Sequence, residues 1–200
     1  MKEKVAILVD FSFYLNKKRK SKGISNDKYI NDFFIYLKKK IKEDEEIFRI
    51  FIYDSLPADY IAENPISKEK IDYRAKNGWR EELLKKFARK DHIAFRKGSL
   101  AFKGFTIPNS VVAEIITSGR ALVASDLKLS VEQKQVDLKI GLDVAWLSSK
   151  RIVDKILLIT GDSDFIPAMK HARREGLQVL LDYMGNSIKK ELLEHVDEVR

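Results

Sequence analysis

The chain contains no cysteine, which excludes disulfides, zinc–cysteine sites and thiol catalysis. Histidine is scarce. His92, His171 and His195 are scattered and show no ligand spacing, so they read as surface or helix residues rather than a zinc site. No apolar stretch approaches the roughly 18 residues of a membrane span. A signal peptide is not expected either, because Asp10 interrupts the first apolar run too early. Repeats and low-complexity linkers are absent. The expectation is a soluble, cytoplasmic protein with no membrane partner.

What is present is a globular composition with a basic excess. Two hundred residues suit one domain over 1–200 with a sizeable core, and a hydrophobic content of 44% fits that reading. Lys and Arg number 38 against 30 acids, for a formal charge of +8. Such a balance fits a nucleic-acid or acidic-surface partner, or simply a lysine-rich composition.

The stretch Ile156–Ala168, ILLITGDSDFIPA, organises the rest. It reads as a buried strand to Thr160, a turn through Gly161, and a helix with Asp164 at its N-cap and Pro167 in its first turn. Asp162 and Asp164 thus stand at the carboxyl end of a parallel strand, where open α/β sheets place ligands. The run Val5–Val9, followed at once by Asp10, reads as a second core strand buried on both faces.

Between these ends, strands and helices alternate. A short helical or irregular segment follows Asp10, and its basic run Lys17, Lys18, Arg19, Lys20 and Lys22 is a candidate phosphate clamp. A helix capped by Ser25 or Asn26 is expected to about Lys42, then a strand Glu46–Tyr53 ending at Asp54, a further acid candidate. A loop is expected over Leu56–Pro65, and a long helix from Ser67 to about Arg89 with Asn77-Gly78 as a point of interruption. His92–Arg96 reads as a strand ended by Gly98, and Leu100–Ile107 as another. Arg96 and Lys97 lie among interleaved rings, a pattern that grips single-stranded nucleic acid by charge and stacking, although the rings are read as core. Pro108–Ser130 has no clear periodicity, and an insertion is assigned around 98–130. A helix from about Gln133 to Ser149 carries Asp137 near its start, with Asp143 rotated away from it. Gly176 is expected to end the next helix, Leu177–Asp182 to be the last strand, and Ser187–Val199 a closing amphipathic helix. This alternation predicts a mostly parallel, three-layer α/β fold.

Asp10, Asp137, Asp162 and Asp164 are the acids expected to converge. Clustered carboxylates repel, so some stay protonated or a divalent cation neutralises them. All-oxygen ligation without cysteine suits Mg²⁺ or Mn²⁺, which orients and deprotonates water and stabilises charge on a phosphate. With a basic surface, this points to phosphodiester hydrolysis.

The same residues resemble the NYN domain of the LabA-like group, within the PIN-like nuclease superfamily. VAILVDFS resembles the family's first strand and its Asp, here Asp10. KQVDLKIGLD resembles its lysine–x–Val–Asp helix start, giving Lys134, Asp137 and Asp143. ILLITGDSDFIPAMKHARREGLQVLL resembles its most specific block, giving Asp162, Asp164, Phe165, Pro167 and Gly176. The resemblance implies a PIN-like α/β/α sandwich and Mg²⁺- or Mn²⁺-dependent cleavage of RNA, single-stranded or structured, at Asp10, Asp137, Asp162 and Asp164, with a homodimer as a candidate assembly. Ser12, Lys134, Lys17, Lys18, Arg19, Arg96 and Lys97 are the candidate substrate contacts. One position departs from the family. Phe13 stands where a polar residue, often Asn, is usual, and the pocket forgoes a hydrogen bond there unless Ser12 supplies it. Two other classes remain open: a non-catalytic RNA-binding or adaptor module, and a haloacid-dehalogenase-type phosphatase. The phosphatase needs a second Asp two residues after the first, and Ser12 occupies that place.

Overall fold

The computed structural model describes residues 2–18, 23–56 and 59–200, the side chain of Lys76 excepted. In chain order the elements are β1 (Glu3–Asp10), α1 (Phe11–Lys17), α2 (Asn26–Lys38), β2 (Glu45–Ser55), β3 (Ile61–Glu63), β4 (Lys70–Asp72), α3 (Tyr73–Phe87), β5 (Ile93–Thr106), α4 (Asn109–Ser118), β6 (Lys128–Lys134), α5 (Val136–Lys150), β7 (Lys155–Ile159), α6 (Ile166–Arg174), β8 (Gln178–Asp182), α7 (Lys190–Leu193) and β9 (Glu198–Val199). Seven strands form one sheet in the order β6-β5-β2-β1-β7-β8-β9, and β3 pairs with β4 in a small antiparallel ribbon. Only β6 runs antiparallel within the large sheet. No helix of the described residues is long and apolar enough to cross a membrane.

Alternation along the central strands makes the three layers. Val5, Ile7 and Val9 of β1 face α1, α2 and α3 with Phe11, Phe33, Leu83 and Phe87. Ala6 and Leu8 face α5 and α6 with Ile140, Val144, Leu147 and Met169. A strand covered on both faces must be apolar at every position, which is why VAILV is unbroken. The order also fixes where a ligand fits. From β1 the chain winds outward through β2 to β5, and later through β7 to β8 on the other side. The winding therefore reverses between β1 and β7, and the crevice at such a reversal lies beyond the carboxyl ends of the two strands. Asp10 ends β1, and Asp162 follows β7 by three residues.

Several local expectations are corrected. Asp162, not Asp164, caps the turn after β7, its side chain accepting from the Asp164 N–H at 2.9 Å and opening a 3₁₀ turn over Ser163–Phe165. Pro167 does lie in the first turn of α6. Gly161 does not have positive φ. Glycine suits this position through a close approach instead, since a Cβ there would lie 2.8 Å from the Phe13 ring. Gly98 does not end a strand: β5 runs unbroken through it, and a Cβ would meet Ser55 Oγ at 2.5 Å and the Lys134 carbonyl at 2.9 Å. The helix expected from Ser67 starts at Tyr73, after β4 and an Asp72 cap, and passes through Asn77-Gly78 without a break. The loop expected over Leu56–Pro65 contains β3. Pro108–Ser130 holds α4 and the start of β6, which pairs with the outer half of β5. Gly176, with φ +92°, lies one residue past the Glu175 C-cap of α6. Over Ser187–Val199 the closing helix shrinks to α7, and the chain returns to the sheet as β9, because Asp197 N–H and Arg200 N–H bond the Val179 and Leu181 carbonyls of β8.

Candidate functional site

Two of the expected acids are built into the backbone in the same way. Asp10 caps α1, its Oδ1 accepting from the Phe13 N–H at 3.1 Å. Asp162 caps the 3₁₀ turn after β7, and its own N–H donates to Thr160 Oγ1 at 3.2 Å. Each cap holds one carboxylate oxygen, and among the described residues Oδ2 of neither aspartate makes a hydrogen bond. Asp137, in the first turn of α5 on the other face of the sheet, does not line the cleft, but its charge acts on Asp10.

The electrostatics show the convergence. Burial pushes the Asp10 carboxyl up to about 6. The Phe13 N–H pulls it down, and the charges of Asp137, Asp54 and Asp162 push it further up. Asp137 is exposed, and partial desolvation, with the charges of Asp162 and Asp164, raises its carboxyl. The structure therefore places Asp10, Asp137 and Asp162 within each other's field, with Asp164 at the edge. A cleft of about 570 Å³ opens here, lined by Asp10, Ser12, Phe13, Asn16, Gly161, Asp162, Asp164, Ile188 and Lys189 among others. Among the described residues no three His, Asp or Glu side chains stand close enough to enclose a metal by themselves. The donor set instead suits a hydrated hard cation, which needs only one or two carboxylates and takes its remaining oxygens from water and phosphate. Mutually repelling, underbonded carboxylates are what such a cation relieves.

Asp54 has a different environment. It is fully buried, at the end of β2 beside Asp10. Burial raises its carboxyl, but Arg80 of α3, the Ser55 N–H and Ser12 oppose the rise. Arg80 grips Asp54 through both Nε, at 2.9 Å, and Nη2, and Nη2 also donates to Ser12 Oγ at 2.7 Å. Ser12 Oγ reaches Gln133 Oε1 at 2.8 Å. Ser12 therefore sits in the cleft wall but is anchored from behind.

The expected basic contacts scatter. Lys17 and Lys18 line a separate cavity beyond α1, and Arg19 lies outside the described residues. Lys134 is exposed at the end of β6, and no hydrogen bond joins it to the acids among the described residues. Arg96 is held by Asp143 at 2.7 and 3.1 Å over the Phe51 ring, and Tyr53 donates to the same Asp143 at 2.7 Å. Arg96 and Lys97 line a shallow cavity of about 380 Å³ against α5, apart from the cleft. Arg80, Gln133, Asn16 and Lys189 belong to the site or its support without standing out in the sequence. Asn16 had a signal, since it stands four residues after Ser12 on one face of α1. Arg80 had none, lying in a helix rich in both charges.

An α/β sheet with acids at its switch point defines where a ligand would sit, and comparison specifies the family. The model of the NYN domain matches residues 4–200, so the chain belongs to the NYN domain family. NYN domains belong to the PIN-like nuclease superfamily, whose members generally use divalent metals, and NYN nucleases act on RNA. No curated protein matches the chain. Among solved structures it is similar to a protein of unknown function from Vibrio parahaemolyticus, with 17% identity, coverage of 99% of this chain and 91% of that one, and a TM-score of 0.49.

Proposed function

We propose that the protein is a metal-dependent ribonuclease of the LabA-like group that hydrolyses RNA phosphodiester bonds in the cleft at the β1–β7 switch point. One observation carries the reading: Asp10, Asp137 and Asp162 come from three separate elements, and the charges of Asp137 and Asp162 both add to the cost of ionising Asp10 at the cleft. A bound Mg²⁺ or Mn²⁺ would supply an activated water and charge stabilisation on the phosphate. Asp10 and Asp162 are the residues to hold it, each having Oδ2 left over from its cap, with Asp137 and Asp164 adding negative field. Arg80 and Asp54 fix Ser12 in the cleft wall, where its hydroxyl, with its proton directed to Gln133, can accept from a water. The Phe13 ring over Gly161, with Ile188 beside it, gives the cleft an apolar wall suited to a base or ribose face.

The test is incubation of purified protein with mixed RNAs, with Mn²⁺ or Mg²⁺ and with chelator. Cleavage leaving a 5′-phosphate and a 3′-hydroxyl, abolished by chelator, is expected. Full activity in chelator, or 2′,3′-cyclic phosphate ends, would refute this mechanism.

A second reading is favoured by Phe13, which puts an aromatic ring into the cleft in place of a hydrogen-bonding group. A non-catalytic RNA-binding or adaptor module would bind RNA in chelator as well as in Mn²⁺ and cut it in neither.

A further inference from the structure

The basic cavity beyond α1 has features the cleft lacks. About 380 Å³ in volume, it lies at the end of α1 remote from Asp10 and is lined by Lys17, Lys18, Tyr36, Lys40, Asp182 and the turn Tyr183–Gly185, closed by Val199 and Arg200. Its floor is fixed. Asp182 is buried and accepts from Tyr36 Oη, from the Met184 N–H at 2.9 Å, and from Lys40 Nζ at 2.9 Å. The turn that follows holds Met184 and Gly185 at φ +53° and +68° and closes with Asn186 N–H on the Tyr183 carbonyl. Lys18 and Lys40 both lie against the Tyr36 ring, their Nζ atoms 5.8 and 5.0 Å from its centroid.

The charge count is positive. Lys40 is balanced by Asp182, and Arg200 by Glu45 and Glu198. Lys17 and Lys18 form no ion pair among the described residues, and the four residues that follow in sequence, Arg19 to Lys22, include no acid. Two lysines without an ion pair among the described residues thus line a cavity whose one side-chain carboxylate, Asp182, is already hydrogen-bonded on both oxygens. The ligand that suits such a site is a small, strongly charged oxyanion.

Position identifies the source. α1 is a shared wall: Ser12, Phe13 and Asn16 line the acidic cleft, whereas Lys17 and Lys18 line the basic cavity. The segment after β8 is shared in the same way, Ser187–Lys189 on one side and Tyr183–Gly185 on the other. A seven-residue helix is only about 10 Å long, so a strand leaving the acids along α1 reaches the cavity within a short span. We infer that this cavity is a phosphate subsite of the RNA, which takes a phosphate group near the one held at the acids, whether internal or 5′-terminal. This rests on the ribonuclease reading for its ligand, but not for its charge chemistry.

The test separates the two. Inorganic phosphate is titrated into ¹⁵N-labelled protein in chelator, and the amides of Tyr183, Met184 and Gly185 are followed. Saturable shifts there, abolished in a Lys17→Gln/Lys18→Gln variant, are expected. Shifts no larger than those across the rest of the surface would overturn the subsite, whatever the protein does to RNA. A labelled single-stranded RNA is then bound in chelator by the wild type, the double variant, and a Lys38→Gln/Lys150→Gln control carrying the same charge change. The double variant should bind about tenfold more weakly, and its slope of log affinity against log salt should fall by about 0.7 for each phosphate that is no longer neutralised. A fall equal to that of the control would make the effect non-specific and overturn the RNA assignment. RNA with a 5′-phosphate or a 5′-hydroxyl names the source. A preference for the phosphorylated end that disappears in the double variant assigns a terminal phosphate, and equal weakening on both RNAs assigns an internal one.

Discussion

At the two edges of the sheet, the carboxylates of Glu45 and Asp10 sit in opposite environments, although Asp54 beside Asp10 is itself paired with Arg80. Where β1, β2 and β7 begin, Glu45 receives Lys155 Nζ at 2.9 Å, Arg200 Nη2 at 2.6 Å, Arg200 Nη1 at 2.9 Å and the Lys42 N–H at 2.9 Å. Burial pushes its carboxyl up, but those donors outweigh burial and hold it at about 2. Where β1 ends, Asp10 has one N–H and faces three other acids, and it stands at about 6. Glu45 is fully buried and Asp10 half-buried, so burial alone would raise Glu45 at least as much, and the reversed order lies in the partners. A buried acid with donors on both oxygens is architecture. An acid facing other acids is costly to the fold, and either protonation or a cation relieves that cost.

The largest effect should come from the paired edge. Glu45→Ala leaves Lys155 and Arg200 buried without their main partner, although Glu3 and Glu198 remain. Breaking a buried pair costs about 3–5 kcal/mol, and the retained acids put this case near the lower end. Urea unfolding checks it, and a decrease below about 1 kcal/mol would dissolve the contrast between the edges. The same pair fixes an acid limb. Because Glu45 is lowered in the fold from 4.5 to about 2, its stabilisation is complete above 4.5 and is lost as pH falls through that window. Glu45→Gln should flatten the limb in a stability–pH series.

The unpaired edge should respond in activity rather than in stability. Asp162→Asn can keep the cap to Asp164 N–H but removes a charge from the cleft. Cleavage is expected to fall on the order of 100-fold or more, with weaker Mn²⁺ binding by calorimetry and unchanged unfolding. Equal Mn²⁺ affinity in both proteins would leave the acids as turn residues. Asp10→Asn, in metal-free buffer, should instead stabilise the fold by on the order of 1–2 kcal/mol, since it relieves burial and the repulsion from Asp54, Asp137 and Asp162. Destabilisation on thermal melting would mean that Asp10 is held by interactions a neutral amide cannot make.

Much of this was legible in the sequence because it is local. Apolar runs of strand length gave β1 and β7, and an acid soon after each run gave the two ends of the crevice. Alternation gave the layered α/β fold, whereas the switch point between β1 and β7 needed the strand order. Long-range pairing was not legible. Arg96 reads as a free basic residue until Asp143 is seen beside it, and Lys17 and Lys18 read as neighbours of Asp10 until α1 separates them from it. Asp54 and Arg80 stand 26 residues apart, and nothing in either neighbourhood announces the other. The closing segment misled for a related reason. Its amphipathic spacing fits a helix, but the free edge of β8 offers backbone partners and draws residues 198–199 into a strand.

The smallest expected effect tests whether the acidic edge has any packing of its own. Gly161 is the floor of the cleft, and the Phe13 ring lies so close that a methyl group there would come to 2.8 Å from Cε2 and 3.3 Å from Cζ, with Ile188 Cγ2 at 3.4 Å. Gly161 has ordinary φ, so Gly161→Ala incurs no left-handed strain, and the whole cost is steric. The ring is half-buried at the cleft mouth and can turn outward, so the destabilisation should be about 1 kcal/mol, at the low end for overpacking. Phe13→Asn removes the ring, and in that background Gly161→Ala should cost nothing measurable. The coupling in a double-mutant cycle is therefore expected to equal the whole single-mutant penalty. A cost for Gly161→Ala that survives without the ring would place the constraint in the backbone of the turn, and the apolar wall of the cleft would lose its physical basis.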